Sequence, residues 1–157
     1  MTLLEEVVRA SREVAETNAR SAKVAILAEL LRELEPAEVP VVAALLSGVP
    51  RQGRIGVGYA GVYGRDHAGG GDAAHLTVGN LDRTLTAIQE TTGAGSAGAR
   101  AQLIDGLLAR ATDAEGDFIR RLLTGELRQG ALAGIMTQAV VVQTLEAARQ
   151  ICAAREP

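Results

Sequence analysis

The sequence predicts an all-α protein, a compact bundle of two pseudo-twofold-related multi-helix units, and three observations carry that expectation. Apolar residues recur at helical spacing along the chain, and no stretch alternates as a half-buried strand does. One passage occurs twice, 77 positions apart: Leu45-Leu46-Ser47-Gly48-Val49-Pro50-Arg51-Gln52-Gly53 returns as Leu122-Leu123-Thr124-Gly125-Glu126-Leu127-Arg128-Gln129-Gly130. Upstream the correspondence runs on without a gap, with Leu4, Val8, Lys23, Leu27, Leu30, Leu31, Glu38, Val41, Val42 and Leu45 opposite Leu81, Leu85, Arg100, Ile104, Leu107, Leu108, Glu115, Phe118, Ile119 and Leu122. Finally, 157 residues of which 47% are apolar suffice for one core of ordinary domain size, burying roughly 70% of the surface that the unfolded chain exposes.

The elements follow in order. Thr2 with Glu5 forms a capping box that opens an amphipathic helix through Leu4, Val7, Val8 and Val14. A second helix starts near Ser21 and gathers Val24, Leu27, Leu30, Leu31 and Leu34 on one face. Pro36 suits a first helical position, and Val39 to Leu46 form a short helix that stops at Gly48. Glycines at 53, 56, 58, 61 and 64, then a stretch rich in Gly, Asp and Ala, read as a connection. Copy one therefore spans about 1–62, the linker about 63–77 and copy two about 78–140, followed by a divergent C-terminal helix of about 141–157. In copy two a helix begins near Leu81, and a glycine turn at Gly93-Ala94-Gly95-Ser96 precedes a long helix through Leu103, Ile104, Leu107 and Leu108. A capping box at Thr112 and Glu115 opens the helix carrying Phe118, Ile119, Leu122 and Leu123. After Gly130 a last helix carries Leu132, Ile135, Met136, Ala139 and Val140 and continues to about Ala153.

Composition narrows the function classes. No stretch approaches the ~18 apolar residues that span a bilayer, and the acidic start Glu5-Glu6 is unlike a signal peptide, so the expectation is a cytoplasmic protein with no membrane partner. Cys152 is the single cysteine, which excludes an internal disulfide and a cysteine-based zinc site. His67 and His75 lie in the glycine-rich linker, which offers no rigid frame for a metal. The net charge of −3 argues mildly against nucleic acid, yet fifteen of the sixteen basic residues are arginine, whose planar fork is the better phosphate ligand. Tyr59, Tyr63 and Phe118 are too few to stack successive bases of a single strand.

Gly56-Val57-Gly58-Tyr59-Ala60-Gly61 matches the dinucleotide pattern GxGxxG, but no strand precedes it, so close backbone packing, or the approach of a ligand's backbone, is the better reading. Ser96, after two glycines and with Arg100 four residues on, fits equally an ordinary N-cap and a phosphate site at a helix N-terminus. Its counterpart, Ser21 with Arg20 and Lys23, is similarly basic. The two Arg-Gln-Gly turns, Arg51-Gln52-Gly53 and Arg128-Gln129-Gly130, also admit two readings, a helix-helix corner and a cationic phosphate clamp. A corner alone does not require the same three residues in both copies.

Gly93 to Met136, with its GxGSxxxR start, the ExxF at Glu115 to Phe118 and GELRQGALAGIM from Gly125, resembles the N-terminal DNA-binding domain of ATP-dependent DNA ligases. QGRIGVGYA from Gln52 resembles the first half of that domain in actinobacterial ligases, and the resemblance covers about residues 1–140. It implies an all-helical domain that grips double-stranded or nicked DNA across the minor groove, mostly through phosphates, and precedes a nucleotidyltransferase domain and an OB-fold domain. Carried over by motif position, it makes Arg128, Gln129, Gly130, Ser96 and Arg100 the DNA contacts, with Arg51, Gln52 and Gly53 following by internal symmetry.

The departures bear on activity. These ligases form an enzyme-adenylate on the lysine of a KxDG motif, whereas the only lysine here, Lys23, is followed by Val24-Ala25-Ile26. Beyond Val140 the sequence no longer follows the family's course into its catalytic domain. The expectation is thus sequence-nonspecific binding of duplex or nicked DNA without catalysis, with no cofactor in this chain. ATP and Mg2+ are implied only for the full-length enzyme, and a separate ligase catalytic domain would be a partner in trans. The rival expectation is a helical protein-interaction scaffold or inactive ligase remnant.

Overall fold

The computed structural model describes residues 1–53, 55, 57–63, 76–127 and 132–153. They form α1 (Leu4–Glu16), α2 (Arg20–Glu33), α3 (Val39–Leu46), α4 (Tyr59–Tyr63), α5 (Val78–Glu90), α6 (Ser96–Leu108), α7 (Asp113–Thr124) and α8 (Leu132–Ala153). The all-α expectation holds: among the described residues the only extended pairing is an isolated bridge between Leu3 and Thr77. No helix among them is long and apolar enough to cross a membrane.

Both halves feed one core. Leu4, Leu27, Leu31, Leu45 and Leu46 from the first half join Leu81, Leu85, Ile88, Ile104, Leu107 and Leu108 from the second, all fully buried and in one cluster. The packing is exchanged between halves, since α1 lies against α7 and α5 against α3. The two helix starts are tied reciprocally, Leu4 N–H donating to Leu76 O (2.8 Å) and Val78 N–H to Thr2 O (3.0 Å). α8 closes the bundle by packing along α2. There it buries Ile135, Met136 and Ala139, while Arg32 reaches Glu146 (2.6 Å) and Gln143 donates to Leu31 O (3.2 Å).

The structure changes three readings at helix starts. Thr2 does not cap α1: its backbone N–H (3.0 Å) and hydroxyl (2.7 Å) both donate to the Glu38 carboxylate, and Leu3 occupies the N-cap with no side-chain bond. Burial raises the Glu38 carboxyl and the Thr2 and Glu35 hydrogen bonds outweigh it, leaving that group below its ordinary value. Proline stands in the first turn of α3, but it is Pro40; Pro36 belongs to the turn before it. α5 begins at Val78 rather than near Leu81, because Thr77 and Asn80 form a capping box that a search for Glu or Gln at the third position passes over. The box at Thr112 and Glu115 opens α7 as expected.

The earlier start of α5 resets the internal register. The buried positions of α1 (Leu4, Val7, Val8, Ser11, Val14) match those of α5 (Val78, Leu81, Asp82, Leu85, Ile88) at a spacing of 74, not 77. The spacing of 77 holds downstream, where Leu27, Leu30 and Leu31 answer to Ile104, Leu107 and Leu108, all buried. The extra residues sit in the longer connection after α5, so the gapless alignment of the first helix was off by nearly one turn. Leucine and valine recur every three or four residues on both helices, which is why the shifted register also looked apolar.

Candidate nucleic-acid interface

The two turns that end α3 and α7 share one backbone design. Gly48 (φ +80) and Gly125 (φ +75) occupy the left-handed region after their helices, a conformation that favours glycine. Val49 N–H bonds Ala44 O (3.3 Å), and 77 positions later Glu126 N–H bonds Arg121 O (2.8 Å). The turns also abut. A Cβ built on Gly48 would lie 2.1 Å from the Leu127 carbonyl oxygen, so the two segments meet at backbone distance and only glycine fits. A cleft of about 480 Å³ runs between them, lined by Ser47 to Pro50, Gly53, Ile55 and Val57 on one side and Leu122 to Gly125 and Leu127 on the other. Among the described residues its lining carries no charged side chain.

Pro50 to Gly53 closes as a turn through Gly53 N–H to Pro50 O (2.8 Å), with Arg51 and Gln52 at its tip. Both side chains fold onto α5. The Arg51 guanidinium grips Asp82 with two groups, Nε donating to Oδ1 (2.6 Å) and a terminal nitrogen to Oδ2. Gln52 Nε2 donates to Asp82 Oδ1 (2.8 Å) and Thr86 Oγ1 (2.9 Å), and Gln89 Nε2 donates to Gln52 O (2.6 Å). The Arg51 hydrogen bond, opposed by burial and aided by Gln52, holds the Asp82 carboxyl below its ordinary value. Arg51 still exposes 55% of its side chain, against 11% for Asp82. A Cβ on Gly53 would meet open space, so this end of the turn is accessible.

A carboxylate depressed in the folded state stabilises the fold above its unfolded pKa and stops doing so as pH falls through the folded one. Asp82→Asn is therefore expected to cost about 1 kcal/mol at neutral pH, the scale of one hydrogen bond to a charged group that is partly exposed. The difference should close as pH drops below the ordinary carboxylate range. Urea denaturation of both proteins at neutral and acidic pH measures it, and a gap unchanged in acid would remove the pair from the stability of the fold.

Ser96 is the first residue of α6 rather than its cap; the cap is Gly95 (φ +78), with no side-chain bond. Arg100 is turned back on α5, its Nε donating to Thr91 O (2.8 Å). Arg128, Gln129, Gly130, His67 and His75 lie outside the described residues. The structure thus gathers Arg51, Gln52 and Gly53 on one turn against the segment leading to Arg128, and places Ser96 and Arg100 at the connection between α5 and α6. It adds Asp82, which the sequence marked only as one of many carboxylates. A polar residue at a position where α1 carries Val8 was its signal, visible once the register is 74. Short α4 was also missed, its five residues hidden among glycines. It carries Tyr59 stacked on Tyr63 (4.4 Å), with the Tyr63 hydroxyl on Glu126 (3.2 Å).

An all-helical domain with a duplicated arginine turn now meets its relatives. Residues 65–141 match the family described as DNA ligase N terminus. The chain is 49% identical over 138 residues to a probable DNA ligase of Rhodococcus jostii (strain RHA1), covering 88% of this chain and 27% of that protein. It is 50% identical over 140 residues to the probable DNA ligase of Saccharopolyspora erythraea, covering 89% and 27%, and 44% identical over 142 residues to that of Streptomyces avermitilis, covering 90% and 27%. The match to the DNA ligase N-terminal family thus lies in residues 65–141, and the chain spans about a quarter of the length of the curated relatives it matches.

Proposed function

We propose that this chain binds duplex or nicked DNA without sequence preference, as the DNA-binding module of an ATP-dependent DNA ligase, and is not catalytic by itself. One observation carries the reading: the turn bearing Arg51 and the turn leading to Arg128 lie side by side, with Gly48 against the Leu127 carbonyl. An Arg-Gln-Gly motif on one turn, with its repeat next in sequence after the adjoining segment, suits a target whose charge repeats along its length, as a nucleic-acid backbone does. The similarity to the N terminus of DNA ligases supports the same target. The sole lysine, Lys23, lies in α2 without the sequence that ligases adenylate, which supports the noncatalytic reading of this segment.

Fluorescence anisotropy with labelled intact and nicked duplexes of several sequences, across a salt series, tests the reading. Affinity should be alike for all sequences and fall linearly in log affinity against log salt. Incubation with labelled ATP followed by mass spectrometry should leave the chain unmodified; an AMP adduct on Lys23 would overturn the noncatalytic assignment. A helical interaction scaffold is favoured by one feature, the exposed Val140, Val141 and Leu145 on α8, and becomes the better reading if no salt-dependent duplex binding is found.

A further inference from the structure

We propose that Asp82 is a positioning residue for a DNA phosphate: it holds the Arg51 guanidinium along one edge so that the other edge is presented outward, already oriented. The inference rests on the DNA-binding reading above and deepens it by assigning how one contact is built. A guanidinium carries five N–H donors in a rigid plane. Asp82 engages the Nε edge, which leaves the second terminal nitrogen and the outer hydrogen of the first, a pair spaced to grip one phosphate. The group that would do so is in contact with water, since over half of the Arg51 side chain is exposed while Asp82 is nearly covered.

The carboxylate is itself fixed. Gln52 donates to Asp82 Oδ1 and to Thr86, and Gln89 holds the Gln52 carbonyl, so the turn and α5 form one hydrogen-bonded unit. The charge count still favours an anion: exposed Arg83 follows Asp82 on α5, so two arginines stand beside one carboxylate. An arginine free in solution would lose its rotamer freedom on meeting a phosphate; here that loss occurs on folding, not on binding. The α1 position equivalent to Asp82 is Val8, so α1 offers no matching carboxylate there.

The test is a set of salt-series titrations of the 157-residue chain with a labelled nicked duplex, each variant first checked for an intact helical spectrum. Arg51→Ala should reduce the slope of log affinity against log salt by about 0.9, the value for one phosphate contact. Asp82→Asn keeps the arginine and should keep the slope, yet weaken binding about fivefold at every salt concentration, the order of one immobilised side chain. The double variant should bind no worse than Arg51→Ala. If Asp82→Asn does not fold, Arg51→Lys carries the test: a point charge without the fork should retain the slope and lose about fivefold in affinity.

Tighter binding by Asp82→Asn would overturn the proposal, making the carboxylate a competitor of the phosphate. An unchanged slope in Arg51→Ala, with the wild-type chain binding duplex normally, would do so as well, reducing the pair to a structural latch. Arg51→Lys binding like the wild type would exclude a role for the fork. Absence of salt-dependent binding by the wild type would instead defeat the DNA-binding reading itself, and this inference with it.

Discussion

Gly48→Ala is expected to destabilise the fold by about 3–4 kcal/mol, and Gly125→Ala by only about 1–2 kcal/mol. Both glycines end a helix in the left-handed region, at φ +80 and +75, so alanine meets the same backbone strain at each. They differ in what stands nearby. The new methyl at Gly125 points into open space, whereas at Gly48 it would sit 2.1 Å from the Leu127 carbonyl oxygen, a main-chain atom that cannot rotate away. The two turns must then separate, disturbing the buried Leu127 side chain as well. Denaturant midpoints for the two variants measure the contrast. Equal losses would mean that the turns do not touch in solution.

Arg128→Ala is expected to weaken duplex binding about tenfold near 0.1 M salt, alike for all sequences, and to lower the salt slope by about 1. The residue follows Leu127 directly, so the contact at Gly48 fixes the chain from which it departs. Anisotropy on two unrelated duplex sequences across a salt series decides the matter. A slope that does not change leaves the second turn without a phosphate.

Several helix starts were legible in the sequence: α2, α6 and α7 begin within a residue or two of where the sequence places them, and the box at Thr112 and Glu115 fixes one of them. The glycine stop at Gly48 was also legible, since a left-handed residue has few other solutions. What failed did so for physical reasons. Thr2 has a hydroxyl at a capping position and Glu5 stands three residues on, but a carboxylate from a distant turn, Glu38, binds Thr2 instead. Long-range partners are invisible to a local pattern. The same holds at the candidate site: the Arg-Gln-Gly repeat identified the turn, while the partner that orients Arg51 is 31 residues away and could be found only by folding the chain.

The exchange of packing between halves, α1 on α7 and α5 on α3, is an arrangement that two separate copies of such a unit could adopt only as a dimer, at the mercy of dilution. Joined in one chain, the second half is always present at an effective concentration of order millimolar. A covalent pair is also released from the rule that binds identical subunits, in which every change appears on both sides at once. Asp82 on one side and Val8 on the other is a difference of that kind. One half can then carry a carboxylate at a position where its counterpart carries an apolar side chain, without either change being imposed on the other.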